Sequence, residues 1–220
     1  MNKNIILNSI KKLRETSKKR NFTQTIDLII NLKGLDIKKP DEKIDLYIAL
    51  PHKKGKEPKI CAFVDNELSK QSNETFDKTI LKEDFSKYSK VAIKKLAKEF
   101  KFFIAQANIM PQVAQNFGKI LGPKQKMPNP KAGQIVPPTI PNLQSIKEKL
   151  SKTVHLITRN EALVRTAIGT ENMKDEEIAD NIFSIYNAII HILPQEKNNI
   201  KSILIKFTMG PSVEIGEDKK

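Results

Sequence analysis

The chain contains few of the residues that build covalent or metal-dependent sites. Its only cysteine, Cys61, lies in an apolar run, which predicts a buried small side chain and excludes an internal disulfide or a cysteine-rich zinc site. His52, His155 and His191 have no partner at metal-ligand spacing, and no nucleophile-elbow motif is present. No apolar run approaches the roughly 18 residues that span a membrane. We therefore expect no metal, no cofactor, no membrane contact and no catalysis.

Aromatic residues are also scarce, at 6%, whereas basic residues are abundant. A formal charge of +14 indicates a polyanionic partner, and nucleic acid suits it better than a membrane surface. The positive charge comes from residues 1–60 and 61–154, which carry +8 each, because residues 155–220 carry −2. The shortage of aromatic rings makes a general single-strand binder a weaker candidate, since such proteins stack bases on those rings.

Apolar periodicity predicts two kinds of structure along the chain. Predicted helices cover residues 3–16, 91–100, 111–121 and 143–150, and a long helix from Asp175 whose buried stripe extends to Ile192. Predicted strands cover residues 22–32, 44–50, 60–64, 102–105, 154–158, 163–168 and about 200–208. In the middle, alternating strands and helices favour a layered βαβ structure with parallel strands. Alternating apolar and polar residues in the end strands favour an antiparallel sheet with one solvated face.

The two end strands predict one polar surface if they share a sheet. Turning their apolar residues towards a core leaves these side chains on the opposite face: Thr25, Asp27, Asn31, Ser202, Lys206 and Thr208. Hydroxyls, an amide, a carboxylate and an amine on one surface suit the 2′-hydroxyls, phosphates and base edges of RNA. An ordinary solvated sheet face has the same pattern, and both interpretations stay open from pattern alone.

Two segments flank this candidate surface. The last strand runs into Thr208-Met209-Gly210-Pro211, a rigid turn with backbone donors and a glycine that permits close approach of another molecule. The first helix ends in a basic cluster.

That cluster includes Lys18, Lys19 and Arg20, and Phe22 follows it. The cations can contact phosphates and Phe22 can stack on a base or sugar. The alternatives are a solvated helix end and a strand-edge core residue.

The segment 122–133 is predicted to be an irregular loop, because two glycines and three prolines interrupt it. Its lysines suggest a phosphate cradle, but the spacing does not match a Walker loop and the prolines remove the amides that a cradle needs. We favour a rigid basic loop that faces RNA or another domain. The alternative function is an α/β enzyme that binds a nucleotide or sugar phosphate at this loop.

Three motifs resemble one family, in order along essentially the whole chain. They are Phe22–Asp27 with Leu32–Asp36, then Leu121–Gly133, and then Thr208–Ser212. They are similar to the family of the first protein of the large ribosomal subunit, which belongs to the mobile lateral stalk. The continuation 132–138 resembles the archaeal branch of that family.

The resemblance implies an α/β (α+β) fold of two domains. Residues 1–60 and 155–220 would form a split two-layer α/β domain that binds rRNA, and residues 61–154 an inserted three-layer Rossmann-like domain. The family's rRNA contacts carry over to Phe22, Thr25, Asp27, Ser202, Thr208, Met209, Gly210 and Pro211. Asp27 stands where the family has glutamate.

The resemblance also implies a non-enzymatic ribonucleoprotein component in the cytoplasm. Its partners would be large-subunit rRNA, the large ribosomal subunit, tRNA in the exit site and its own mRNA. The implied roles are a structural role in the stalk, assistance in the release of deacylated tRNA, and repression of translation.

Overall fold

The computed structural model describes residues 2–36, 39, 42–55, 57–137, 142–159 and 161–216. The chain divides into two units, residues 1–56 with 152–220 and residues 57–151, which we call domain I and domain II. Domain II is thus inserted into domain I. The borders of the insertion lie a few residues before the predicted ones at 61 and 154.

The helices and strands follow in this order: α1 (Lys3–Thr16), β1 (Thr25–Leu32), β2 (Asp45–Ala49), β3 (Ile60–Val64), α2 (Ser69–Thr75), β4 (Lys78–Leu81), α3 (Lys90–Glu99), β5 (Phe102–Gln106), α4 (Met110–Leu121), β6 (Ile135–Val136), α5 (Leu143–Lys152), β7 (Thr153–Ile157), β8 (Leu163–Thr170), α6 (Asp175–Ile190), β9 (Ile200–Phe207) and β10 (Ser212–Glu214). Short 3-10 segments precede α2, α3, α4 and β9, and one more lies between α4 and β6.

Domain I has two layers, a sheet and a pair of helices. Its four-stranded sheet has the order β10-β9-β1-β8 with antiparallel neighbours, and β2 and β7 form a separate antiparallel ribbon. Strand β1 alternates buried and half-buried residues along its whole length, as its period-two sequence predicts. The predicted stripe Ile6, Ile10 and Leu13 of α1 is fully buried in the same core as α6. One sheet face therefore packs on helices while the other stays more open.

The predicted end of the α6 stripe is wrong. The residues Ile178, Ile182, Ile185 and Ile189 are fully buried, but Ile192 lies beyond the helix and is 44% exposed. The chain leaves the helix at His191 and Pro194 follows three residues later, so the helical period no longer applies.

Domain II has three layers around a parallel sheet of order β4-β3-β5-β6. Successive residues of β3 point to opposite faces, so Cys61 and Phe63 join the core beneath α3 and α4. Ile60 and Ala62 join the core beneath α2 and α5. Both faces of the strands are covered, which explains why β3 and β5 are continuous apolar runs. The predicted fold class, with one two-layer and one three-layer α/β domain, is confirmed.

Cys61 is a packing residue, as predicted. Burial raises the pKa of its thiol to about 12, so the reactive thiolate is suppressed.

Candidate nucleic-acid interface

The two ends of the chain meet in the middle of the domain I sheet. Strand β9 lies beside β1, and beyond its last residue the Thr208 amide and hydroxyl both donate to the Thr25 carbonyl, at 3.0 and 3.2 Å. These two threonines are 183 residues apart in sequence. The shared sheet assumed from the sequence is therefore present, and its open face carries residues from both chain ends.

The open face presents charged groups close to this junction. Asp27 of β1 is the direct partner of Lys206 on β9. Burial raises the pKa of the Asp27 carboxyl above its ordinary value, and the cations Arg165 and Lys206 offset part of that rise. The carboxylate is thus less solvated than a surface aspartate, and it can accept bonds from hydroxyl or amine donors.

Sequence reasoning missed Arg165. It lies on β8 opposite Ile29 of β1, on the same face as Asp27. A register shift in the pairing of β1 with β8 falls between Ile26 and Asp27, so alternation alone does not show which β8 residues reach the open face. The available signal was that Arg165 is the one charged residue in the sequence of this strand.

The predicted polar face is divided into two groups. Asn31 donates to the Ser202 hydroxyl at 2.8 Å, so these two side chains satisfy each other. Between them and Asp27 lies an apolar row formed by Ile29 and its partner Leu204. Asn31 lies four residues after Asp27 along the strand, a distance of about 13 Å. Asn31 and Ser202 therefore do not join the group at the junction.

We call that group the turn surface: Thr25, Asp27, Lys206, Thr208, Met209, Gly210 and Pro211. Its most prominent apolar group is Met209, a residue that is 60% exposed just beyond the half-buried strand β9. The Gly210 amide closes the turn on the Phe207 carbonyl at 3.0 Å. A Cβ at Gly210 would lie 3.1 Å from the Ser17 hydroxyl, so the turn packs tightly on the end of α1.

Gln24 links the turn surface to the basic segment, and sequence reasoning did not single it out. It is almost fully buried, its amide oxygen accepts from the Met209 amide at 3.3 Å, and its amide nitrogen donates to the Lys18 carbonyl at 3.4 Å. The sequence offered only a weak signal for this role, a glutamine between the two threonines Thr23 and Thr25. Gln24 positions both flanking segments.

The basic segment itself is solvent-exposed. Lys18, Lys19 and Arg20 follow α1 and are all exposed, and Phe22 is 53% exposed. Phe22 is therefore not a core residue, which removes that alternative. These four residues belong to the chain segment 18–22, which the bonds of Gln24 to Lys18 and Met209 connect to the turn surface.

Arg14, in the same basic cluster, has a different task. Its guanidinium donates to the Asp175 carboxylate at 2.7 Å and to the carbonyls of Glu171 and Met173, each at 2.8 Å. Arg14 thus holds α1 against the turn before α6 and is not available to a ligand.

The loop 122–133 directs a key lysine inwards. The Lys126 ammonium donates to the carbonyls of Ala97 and Phe100 at the end of α3, at 2.8 and 2.7 Å. Burial lowers the pKa of Lys126, and Lys124 and Lys101 lower it further. Because Lys126 caps a helix, it cannot serve the phosphate cradle that the alternative enzymatic function requires.

The histidines lie in separate polar contacts. His155 stacks on Tyr47 with 4.1 Å between ring centroids and lies 2.6 Å from the Asp45 carboxylate, while His52 lies 3.4 Å from Asp180. Among the residues that the structure describes, no three or more histidine, cysteine or acidic side chains are grouped as metal ligands would be.

None of the helices within the described ranges has the length and apolarity to cross a lipid bilayer.

The fold and this surface define a class: α/β proteins with an inserted Rossmann-like domain, in which both chain ends build one exposed surface. The family described as the ribosomal protein L1p/L10e family matches residues 13–211. The chain belongs to this family.

Similar curated proteins span nearly the same length. The chain is 40% identical over 212 residues to the large ribosomal subunit protein uL1 of Thermococcus kodakarensis, with 96% of each protein covered. It is 42% identical over 214 residues to uL1 of Nanoarchaeum equitans, covering 96% of this chain and 99% of that protein. It is 40% identical over 213 residues to uL1 of Methanothermobacter thermautotrophicus, covering 96% and 98%.

These findings confirm the resemblance, including its archaeal branch, and the expectation of a structural ribosomal protein that is not an enzyme. The predicted location in the large subunit of cytoplasmic ribosomes agrees with the relatives.

Proposed function

We propose that the chain binds large-subunit rRNA in the lateral stalk through the turn surface, with the basic segment 18–20 and Phe22 beside it. The observation that carries this proposal is the double hydrogen bond from Thr208 to Thr25. It holds the turn with the exposed Met209 next to the paired strand residues Asp27 and Lys206.

Different residues would supply different parts of the binding free energy. The exposed cations Lys18, Lys19 and Arg20 would neutralise phosphates, which gives a salt-dependent contribution without sequence preference. The turn would supply a shape-dependent contribution, because Met209 can pack on a ribose or base and Asp27 can accept from 2′-hydroxyls. Asn31 and Ser202, which bond to each other, would lie at the periphery of this interface.

The proposal extends to two further roles. A surface that recognises the shape of folded RNA can also bind a segment of the chain's own mRNA with the same shape, which would repress translation. As an insertion, domain II connects to domain I through two chain segments. We include stalk motion during the release of deacylated tRNA from the exit site in the proposal on the basis of the family.

Crosslinking the protein to RNA in cell extract and sequencing the attached RNA tests these roles together. We expect one dominant segment of large-subunit rRNA and a weaker segment of the chain's own mRNA. A Thr208→Ala, Met209→Ala double variant in the same extract is the control, and it should lose both. Absence of a dominant rRNA segment, or a dominant rRNA segment that is unchanged in the variant, would refute the proposed interface.

A further inference from the structure

Domain II carries much of the positive charge, although the proposed rRNA surface lies in domain I. Residues 57–151 contain 16 lysines, no arginine and 9 acidic residues, a formal charge of +7. Charge of this size on a domain without an assigned ligand raises the question of where the lysines lie.

The lysines are distributed unequally between the two helical layers. On the layer of α2 and α5 and the turn before α2, lysines and acidic residues nearly balance: Lys70, Lys147, Lys149 and Lys152 against Glu67, Glu74 and Glu148. On the layer of α3 and α4 and the start of the following loop, six lysines are exposed: Lys90, Lys94, Lys95, Lys98, Lys119 and Lys124. We call these six residues the lysine face.

The acidic residues on the same side of the sheet are already engaged. Glu99 pairs with Lys59 at 3.2 Å, Asp84 with Lys87 at 2.7 Å, and Glu83 accepts from the Asn66 amide. In contrast, no side-chain ammonium group of the lysine face makes a hydrogen bond or ion pair within the described part of the chain. The cations of this face therefore have no counter-charge from the described protein.

Helix α3 carries an unfavourable arrangement as a result. Lys90, Lys94 and Lys98 follow one another at i, i+4 spacing, about 6 Å apart along the helix axis. Like charges at this spacing destabilise a helix. A bound polyanion would remove that repulsion.

We propose that the lysine face binds the phosphate backbone of an RNA helix, distinct from the segment bound by domain I. Lysine is a point charge that suits phosphate, and the absence of arginine removes the residue that most often reads guanine edges. Binding is therefore independent of sequence.

The polar side chains of α4 favour RNA over a membrane. Gln112 and Gln115 are exposed on the same helix as Lys119, and amides of this kind contact ribose and phosphate, whereas the Asn116 amide donates to the Gln112 carbonyl at 2.9 Å. An interfacial membrane helix needs a large apolar face, whereas Val91 is the one exposed large apolar residue of α3. The inference stands on domain II alone and does not require the interface proposed for domain I.

Lysine acetylation of the full-length protein, read by mass spectrometry, tests this site residue by residue. The probe is an RNA duplex of about 16 base pairs, unrelated to rRNA, at low salt. We expect Lys94, Lys95 and Lys98 to react several-fold more slowly with the duplex present, and Lys70 and Lys149 to react at the same rate. The Thr208→Ala, Met209→Ala variant should show the same protection, which separates this site from the domain I interface.

Salt dependence provides the matched measurement with variants. A Lys94→Gln, Lys98→Gln variant should reduce the slope of log affinity against log salt by about 1.4–1.8, which corresponds to two lost phosphate contacts. A Lys70→Gln, Lys149→Gln variant loses the same charge from the balanced layer and should keep the slope. Equal protection of both layers by RNA, or protection of the lysine face by phosphatidylserine vesicles but not by the duplex, would overturn the proposal.

Discussion

Replacing Met209 by alanine should weaken binding to the large-subunit rRNA segment without destabilising the protein. Complete burial of a methionine side chain contributes about 1.5–3 kcal/mol. RNA can cover only the part of Met209 that is exposed, 60% of it. The expected loss is therefore about 1–2 kcal/mol, which is about a 5- to 30-fold increase in Kd.

The assay is a titration of the rRNA segment found by crosslinking, repeated at several salt concentrations. Because the lost contact is apolar, the affinity should fall by the same factor at each concentration, and the salt slope should stay unchanged. Ile192→Ala is the matched control, since Ile192 is an exposed apolar residue of the same domain that lies outside the turn surface, just after the C-terminal end of α6. It should leave the Kd unaltered.

Two results would refute this reasoning. An unchanged Kd for Met209→Ala, with the fold preserved, would remove the turn from the interface. A changed slope with an unchanged affinity at low salt would mean that electrostatics alone account for binding.

Three further predictions concern stability and can be read by hydrogen exchange of individual elements. Arg14→Met should lower the opening free energy of α1 by about 2–3 kcal/mol through lost charge-assisted hydrogen bonds and leave α3 unaffected; equal exchange of α1 in both proteins would contradict the clamp. Lys126→Met should do the reverse, lowering the opening free energy of α3 by about 1–3 kcal/mol with α1 unchanged. Asp27→Asn should stabilise domain I at neutral pH, because a carboxyl whose pKa is raised in the folded state is unfavourable when ionised. The gain in stability should vanish below the ordinary carboxyl pKa of about 3.9 and should grow as pH rises from there through the raised pKa of the folded state. A gain that persists at low pH would show that ionisation of Asp27 is not its cause.

Elements with a strong local period were predictable from the chain alone. The predicted helix over residues 3–16 and the alternation of β1 both depend on side-chain spacing within about ten residues, and the structure shows both. Short elements were missed. Strand β6 has two residues and β4 has four, too few for a period to emerge, and their backbone bonds to parallel neighbours define them.

The positioning residues of the candidate interface were harder to predict for a related reason. Both residues act through partners far along the chain: Gln24 bonds to Met209, and Arg14 bonds to Asp175. Spacing within a segment contains no information about such contacts. The RNA-binding roles themselves, from Phe22 to Pro211, remain predictions.

The sequence by itself determined the apolar face of the elements with a strong period, such as α1 and β1, because period and side-chain chemistry are local properties. It also determined the family, through motifs that need no coordinates. Only the tertiary structure decided that Thr25 and Thr208 adjoin, that Asn31 and Ser202 stand apart from them, and that the domain II lysines gather on one layer. These outcomes depend on strand pairing and layer packing between segments that are distant in the chain. The residue pattern within one segment does not specify which other segment it will pair with.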